Sequence, residues 1–261
     1  MDSTTRALDV ESAATVDLST YLAHQAPIAD KQAEFDGTMR LLRRFHPHPR
    51  RMLEIGIGSG WWQVLGLRAG LDCEGIELSP QLVANARILG DQYGVSPSIR
   101  PGNIETVELP REHYDVVVAM SVFEHVPQWR DCVRKVYESL VPGGLFYFCS
   151  TNKFSLISGE YPPLPLYGWL PDSWRHRIRV RRQGLEVMKF RVDFHQFTYP
   201  GLRRAFRQIG FREVFDFVDM KSPESLNHPK FRGLMTVLKR VRGLKHLFLT
   251  FYPTTVFLCR K

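Results

Sequence analysis

Leu53-Glu54-Ile55-Gly56-Ile57-Gly58-Ser59-Gly60-Trp61 decides how this chain is read. The apolar run Met52–Ile55 meets three glycines at every second position, and residues 61–69 then follow with helical spacing. A strand that turns through glycines into a helix lets the backbone approach a ligand, because no Cβ stands in the way. Glu77 ends the next apolar run. That is about 20 residues further on, where a carboxylate can accept both ribose hydroxyls of a nucleoside.

Two cofactors compete for such a turn. A dinucleotide asks for G-x-G-x-x-G, with the third glycine packing helix on strand. Here that third position holds Trp61, too large for the role, and the spacing is G-x-G-x-G led by Glu54. An acid in front of the turn repels a pyrophosphate but suits the cationic sulfonium and ammonium of S-adenosylmethionine (SAM). Residues 50–80 are therefore expected to form a SAM pocket.

Outward from the turn, short apolar runs alternate with amphipathic ones. Strands are expected at 52–55, 73–78, 98–100, 114–120 and 144–150, with helices at 61–69, 80–93 and 128–140. This alternation predicts an α/β fold, a parallel sheet with helices on both faces. Upstream, residues 1–16 are polar and read as disordered, and 17–46 as helical, with Leu18, Tyr21 and Leu22 and then Phe35, Met39, Leu42 and Phe45 on one spacing. His46-Pro47-His48-Pro49 ends that pattern. The expected organisation is an N-terminal helical segment, 1–46, and a catalytic domain, 47–261. Within the latter, about 152–198 forms a lid insertion rich in proline and aromatics that matches no regular element. Helix 199–209, strand 211–219, a basic amphipathic stretch over 230–250 and a closing strand at 254–260 complete the reading.

Composition narrows the class. With 44% hydrophobic residues the chain can build one large core. The start carries no basic-then-apolar leader and no apolar run is long enough to span a bilayer, so a cytoplasmic protein is expected. Cys73, Cys132, Cys149 and Cys259 form no CxxC pair and read as reduced thiols. The net charge of +8 has its excess after residue 174.

On these motifs the sequence resembles the class I SAM-dependent methyltransferases, particularly their ubiquinone-type, small-molecule O-methyltransferase branch. Four further stretches carry the resemblance: Pro101-Gly102-Asn103-Ile104-Glu105, Tyr114-Asp115-Val116-Val117-Val118, Ser121-Val122-Phe123-Glu124-His125-Val126 and Leu140-Val141-Pro142-Gly143-Gly144. It covers residues 35–151 well and 194–261 loosely. The resemblance implies a Rossmann-like, seven-stranded, mostly parallel sheet with a reversed final hairpin and the lid after the fifth strand. It implies that Glu54, Gly56, Gly58 and Gly60 line the methionine and ribose part of SAM, and that Glu77 holds the ribose hydroxyls. Leu78 would pack on adenine, and Asn103 and Ile104 would sit where the family has a Gly-Asp pair recognising that base. Asn103 departs from the family's aspartate, so its amide oxygen would accept without charge assistance. Met120 and Ser121 would close the pocket from below. The product would be S-adenosyl-L-homocysteine.

For the chemistry, alignment of acceptor and methyl group is the main demand, and a phenol or alcohol also benefits from a base. His125, Glu124 before it, and His195, before Thr198, are the catalytic candidates; each histidine also has a structural reading. A metal on Glu124, His125 and His195 is not assigned, since Ser121 replaces the first acid of the E-x-x-E-H pattern seen in metal-binding relatives. The expected acceptor is small or amphipathic, hydrophobic or acidic, with oxygen the expected atom. N- or C-methylation of a natural product or glycolipid intermediate, and a non-catalytic SAM-fold binding protein, are the alternatives. Tyr161, Tyr167, Trp169 and Trp174 in the lid are candidate acceptor contacts. The basic segments 174–182 and 231–249 suit an anionic membrane surface or an acidic substrate, or are plain surface charge; no nucleic acid is expected, because no recognition module is legible.

Overall fold

The computed structural model describes residues 9–157, 164–187, 195–222 and 229–261. Three helices come first, α1 (Val10–Ala14), α2 (Ser19–Ala23) and α3 (Ile28–Phe45). The chain continues as β1 (Arg51–Ile55), α4 (Trp61–Arg68), β2 (Asp72–Glu77), α5 (Pro80–Gln92), β3 (Ser98–Pro101), β4 (Tyr114–Met120), α6 (Trp129–Ser139) and β5 (Leu140–Thr151). It ends as α7 (Asp172–Val187), α8 (Tyr199–Ile209), β6 (Glu213–Asp216), α9 (Phe217–Met220), α10 (Pro229–Arg240), α11 (Arg242–Phe251) and β7 (Thr254–Arg260).

The strands form one sheet in the order β3-β2-β1-β4-β5-β7-β6. β1 to β5 are mutually parallel, and β7 is antiparallel to both β5 and β6. This is the expected seven-stranded class I fold with its reversed end. Val116, Val117 and Val118 are fully buried, as a strand covered on both faces requires. Their side chains alternate: Val117 joins a core with α6 and α8, while Val116 and Val118 join a second with α3 and α4. α5 and α8 start where serine or threonine precedes a proline-containing first turn. The Leu82 amide donates to Ser79 Oγ at 3.4 Å and the Gly201 amide to Thr198 Oγ1 at 3.3 Å.

Three expectations need correction. Val10–Ala14, read as disordered, is helical and capped by Asp9, whose carboxylate accepts from the Ser12 amide at 2.8 Å; residues 1–8 lie outside the described residues. The lid is not irregular throughout, since 172–187 is helix α7. Trp174-Arg175-His176-Arg177-Ile178-Arg179 alternates like a strand, but helical spacing buries Arg175 and Arg179 together and leaves Trp174 and Arg177 outside. The strand expected at 211–219 stops at Asp216, which caps α9 reciprocally with Asp219. Residues 217–253 therefore intervene between the two antiparallel strands.

Asp216 is fully buried. Its Oδ2 accepts from the Tyr199 hydroxyl at 2.9 Å and Arg203 Nη1 at 3.1 Å, and Lys245 Nζ lies 2.8 Å away. Lys245 also donates to Asp219 Oδ1 at 2.6 Å, so one ammonium ties α11 to the end of β6. Burial pushes Asp219 up, but the hydrogen bond and charge of Lys245 outweigh it and hold the carboxyl below its ordinary 3.8. This group's contribution is complete above that value and is lost as pH falls through the lower folded one. Lys245→Met, which leaves Asp219 without its cation and Asp216 with Arg203 alone, is expected to cost about 1.5–3 kcal/mol in denaturant unfolding at neutral pH. The wild type should lose part of that advantage in melts below about pH 4.

Candidate active site

β1 carries Glu54 into the interior, where it is only 3% exposed. Its Oε2 accepts from Gln63 Nε2 of α4 at 3.0 Å. Burial pushes its pKa up; the Gln63 hydrogen bond pulls it back and the Glu77 charge raises it again, to about 8. Glu77, at the end of β2, is also buried and lies above the ordinary carboxylate range for the same first reason, against hydrogen bonds from the Ser79 and Gly58 amides. Those amides donate to Oε1 at 2.9 Å and Oε2 at 3.3 Å. The Leu78 and Ile57 amides favour the charged form of Glu77 as well.

The turn between them is built by absence of side chains. Gly56, Gly58 and Gly60 all have positive φ, at 70°, 53° and 86°. A Cβ on Gly56 would stand 2.4 Å from Val122 Cγ2, and one on Gly60 2.4 Å from the Ala86 Cβ. The turn is thereby packed against the segment after β4 on one side and against α5 on the other.

The remaining cofactor candidates surround this turn. The Gly102 amide donates to the Glu77 carbonyl at 2.9 Å, joining the turn after β3 to the end of β2. Asn103 Oδ1 accepts from the Glu105 amide at 2.8 Å and so shapes that turn, and Ile104 is buried. Leu78 and Met120 are half-buried. Ser121 is exposed and left-handed, φ 55°, a conformation costing a non-glycine residue about 1 kcal/mol. Its amide donates to the Cys149 carbonyl at 2.8 Å.

The next turn, Phe123–His125, brings Glu124 inside and leaves His125 half-buried. Ser150 Oγ of β5 donates to Glu124 Oε2 at 2.8 Å. The His195 amide donates to the Glu124 carbonyl at 3.1 Å, and its Nε2 lies 2.9 Å from the Pro127 carbonyl, which requires a proton on that nitrogen. His195 also stacks on Phe197. The structure thus brings His195 onto the backbone of the Glu124–His125 turn and gives its Nε2 a positioning contact. Among the described residues no group of three His, Cys, Asp or Glu is arranged to hold a metal ion. In the lid, Tyr167 is buried and accepts from Arg179 Nε at 3.0 Å, whereas Trp169 and Trp174 are about half exposed. Tyr161 lies outside the described residues.

Two residues escaped sequence reasoning. Tyr21 of α2 reaches the glycine turn: its hydroxyl is 3.2 Å from where a Gly58 Cβ would be. Burial, then the charges of Glu77 and Glu54, raise its pKa. α2 is docked by Gln81, whose Oε1 accepts from the Leu18 amide at 2.7 Å, and by Val16 and Leu18 packed on Leu82. Tyr21 reads in sequence as one more apolar residue of a helix, so no signal separated it. Lys135 of α6 donates to the carbonyls of Ile104, Glu105 and Val107 and fixes the turn after β3; a lone lysine on an amphipathic helix gives no such hint.

SAM fits this cradle. Two buried carboxylates face one glycine turn, and among the described residues neither has a cationic partner, so a cationic ligand supplies the missing charge. Glu77→Ala is expected to weaken SAM about 10–100-fold in calorimetry, the loss of charge-assisted hydrogen bonds. A cation also favours ionised Glu54. SAM binding near pH 7 should therefore release protons, read as a binding heat that depends on the buffer, and affinity should rise with pH up to about 8. Glu54→Gln should reduce both effects to what the raised Glu77 contributes. Because the free fold prefers Glu54 protonated, its stability should fall as pH rises from 4.5 towards 8, and this slope should be shallower in Glu54→Gln.

The chain can now be set beside known proteins. Residues 53–148 match the model of a methyltransferase domain family. The chain is 34% identical over 166 residues to the ubiquinone biosynthesis O-methyltransferase of Bordetella avium, covering 57% of this chain and 68% of that enzyme. The Methylobacterium sp. (strain 4-46) enzyme of the same name is 30% identical over 165 residues; the match covers 52% of this chain and 65%, just under two thirds, of that enzyme. Among solved structures, a Mesorhizobium loti SAM-dependent methyltransferase superposes with a TM-score of 0.55 at 19% identity, over 87% of this chain and 100% of that one. Haemonchus contortus phosphoethanolamine N-methyltransferase 2, solved in complex with SAM, gives 0.53 at 16% identity, over 87% of this chain and 52% of that one. Fold, glycine turn and sequence relatives agree: the chain belongs to the class I SAM-dependent methyltransferases.

Proposed function

We propose that this methyltransferase acts on an oxygen of a small or amphipathic acceptor. The observation that carries the reading is the contact of Val122 with Gly56, which seats the Ser121–His125 turn directly on the glycine turn. His125 then stands one helical turn from the cofactor cradle, on a segment whose other side is fixed by Ser150 and His195. Bound SAM supplies a methyl group already activated by its sulfonium.

The chain's own part is to align, to exclude water and to take up a proton. Alignment falls to the turn itself, held from β4, β5 and the return of the lid. Water exclusion falls to the lid, where Tyr167, Arg175 and Arg179 are buried. His125 is the imidazole of this turn, suited to receive the proton of a phenol or alcohol as the methyl carbon leaves sulfur and bonds to oxygen. The name shared by the sequence relatives, O-methyltransferase, supports oxygen over nitrogen.

A transfer assay tests this. The protein is incubated with methyl-labelled SAM and matched panels of catechols, hydroxybenzoates and primary amines, and the products are read by mass spectrometry. Methyl ethers are expected; methylated amines alone would overturn the oxygen assignment. His125→Ala should lower kcat by about 10²–10⁴ with SAM affinity unchanged. A loss below about threefold would leave alignment as the whole of catalysis.

A further inference from the structure

We infer that the α10–α11 hairpin, with the adjoining lid, is a docking surface for an anionic phospholipid bilayer. This goes beyond the proposed function and does not depend on it.

The first observation is charge. Residues 229–251 contain six Lys and Arg and no Asp or Glu. Lys245 is engaged inside by Asp216 and Asp219, which leaves Lys230, Arg232, Lys239, Arg240 and Arg242 on exposed positions. The second is apolar exposure. Met235, Leu238 and Leu249 turn into the core, yet Leu234 and Val237 of α10 and Val241 just after it form a second stripe at i, i+3 and i+7. Leu244 and Leu247 continue it on α11. All five are at least 40% exposed. The stripe does not end with the hairpin, because Phe251 stacks on half-exposed Trp169 of the lid, ring centroids 6.4 Å apart and 9° from parallel.

The third observation is position. β6 runs antiparallel to β7 and hence parallel to β5, so the hairpin follows the same sheet edge as the glycine turn and the lid. Asn152, where the lid leaves β5, donates from Nδ2 to the carbonyls of Leu249, Thr250 and Tyr252 and fixes that relationship. Exposed leucines rimmed by cations match a bilayer, which takes apolar side chains below its headgroups and cations among them. A nucleic acid would use the cations and leave the leucines in water. No helix of the described residues is long and apolar enough to cross a membrane, so the contact is with the surface.

Vesicle flotation of the full chain tests the inference. Binding is expected to phosphatidylcholine vesicles containing phosphatidylglycerol, at least about tenfold above pure phosphatidylcholine and reduced by salt. The double variant Leu244→Glu, Leu247→Glu should lose about tenfold or more of that binding while its melting temperature and SAM affinity stay as in the wild type. Lys239→Glu should lose roughly fivefold. Absence of binding to the mixed vesicles at low salt would overturn the inference. So would a folded double variant that floats like the wild type, or retention displaced by RNA and indifferent to the leucines, which would assign the surface to nucleic acid instead.

Discussion

Glu54 and Glu77 share the underside of one glycine turn, buried, with no cation beside either among the described residues. Most of the fold can be read as the means of keeping them there. Adjacent parallel strands deliver them, Gln63 and two backbone amides satisfy part of their hydrogen bonding, and α5 and the segment after β4 clamp the turn above them. Two desolvated acids destabilise the free protein, and a cationic nucleoside relieves that cost on binding. The site is thus organised around a charge that the chain does not itself provide. Surplus stability is given up where a ligand restores it.

Where the sequence could be read, a local rule and the tertiary structure agree. β4 is legible because a strand covered on both faces must be apolar throughout, and α8 because Thr198 and Pro200 mark its start. The cofactor half of the site is legible for the same reason: a glycine turn and a strand-end carboxylate lie close together in the chain. α7 was obscured by arginines alternating with bulky residues, a period of two that a helix converts into a buried pair, Arg175 and Arg179. Asp216 looked like a residue inside a strand because its ion-pair partners, Arg203 and Lys245, come from other elements of the chain. Tyr21 and Lys135 act on the site only through tertiary contacts, and no pattern within the chain announces such contacts.

The acceptor half, as proposed, draws on segments outside that alternation. The lid after β5 and the helices between β6 and β7 stand on one sheet edge and are joined by Asn152 and by the Trp169–Phe251 stack. Their shared footing makes a displacement of one felt by the other. His195 adds a third tie, from the lid's return to the Glu124–His125 turn. The return of the lid and the Glu124–His125 turn are thereby held to one another.

β7 comes last of the seven strands in the chain yet lies inside the sheet, hydrogen-bonded to β5 and β6 on either side. During synthesis β1 to β5 can assemble around the glycine turn while β5 still presents an open edge, and β6 has no strand to pair with until β7 arrives. An open, apolar edge of this kind recruits other chains. The interval in which residues 217–253 are made and β7 is still missing is thus the window in which a nascent chain of this protein is most exposed to misassembly. The helices inserted between β6 and β7 lengthen that window.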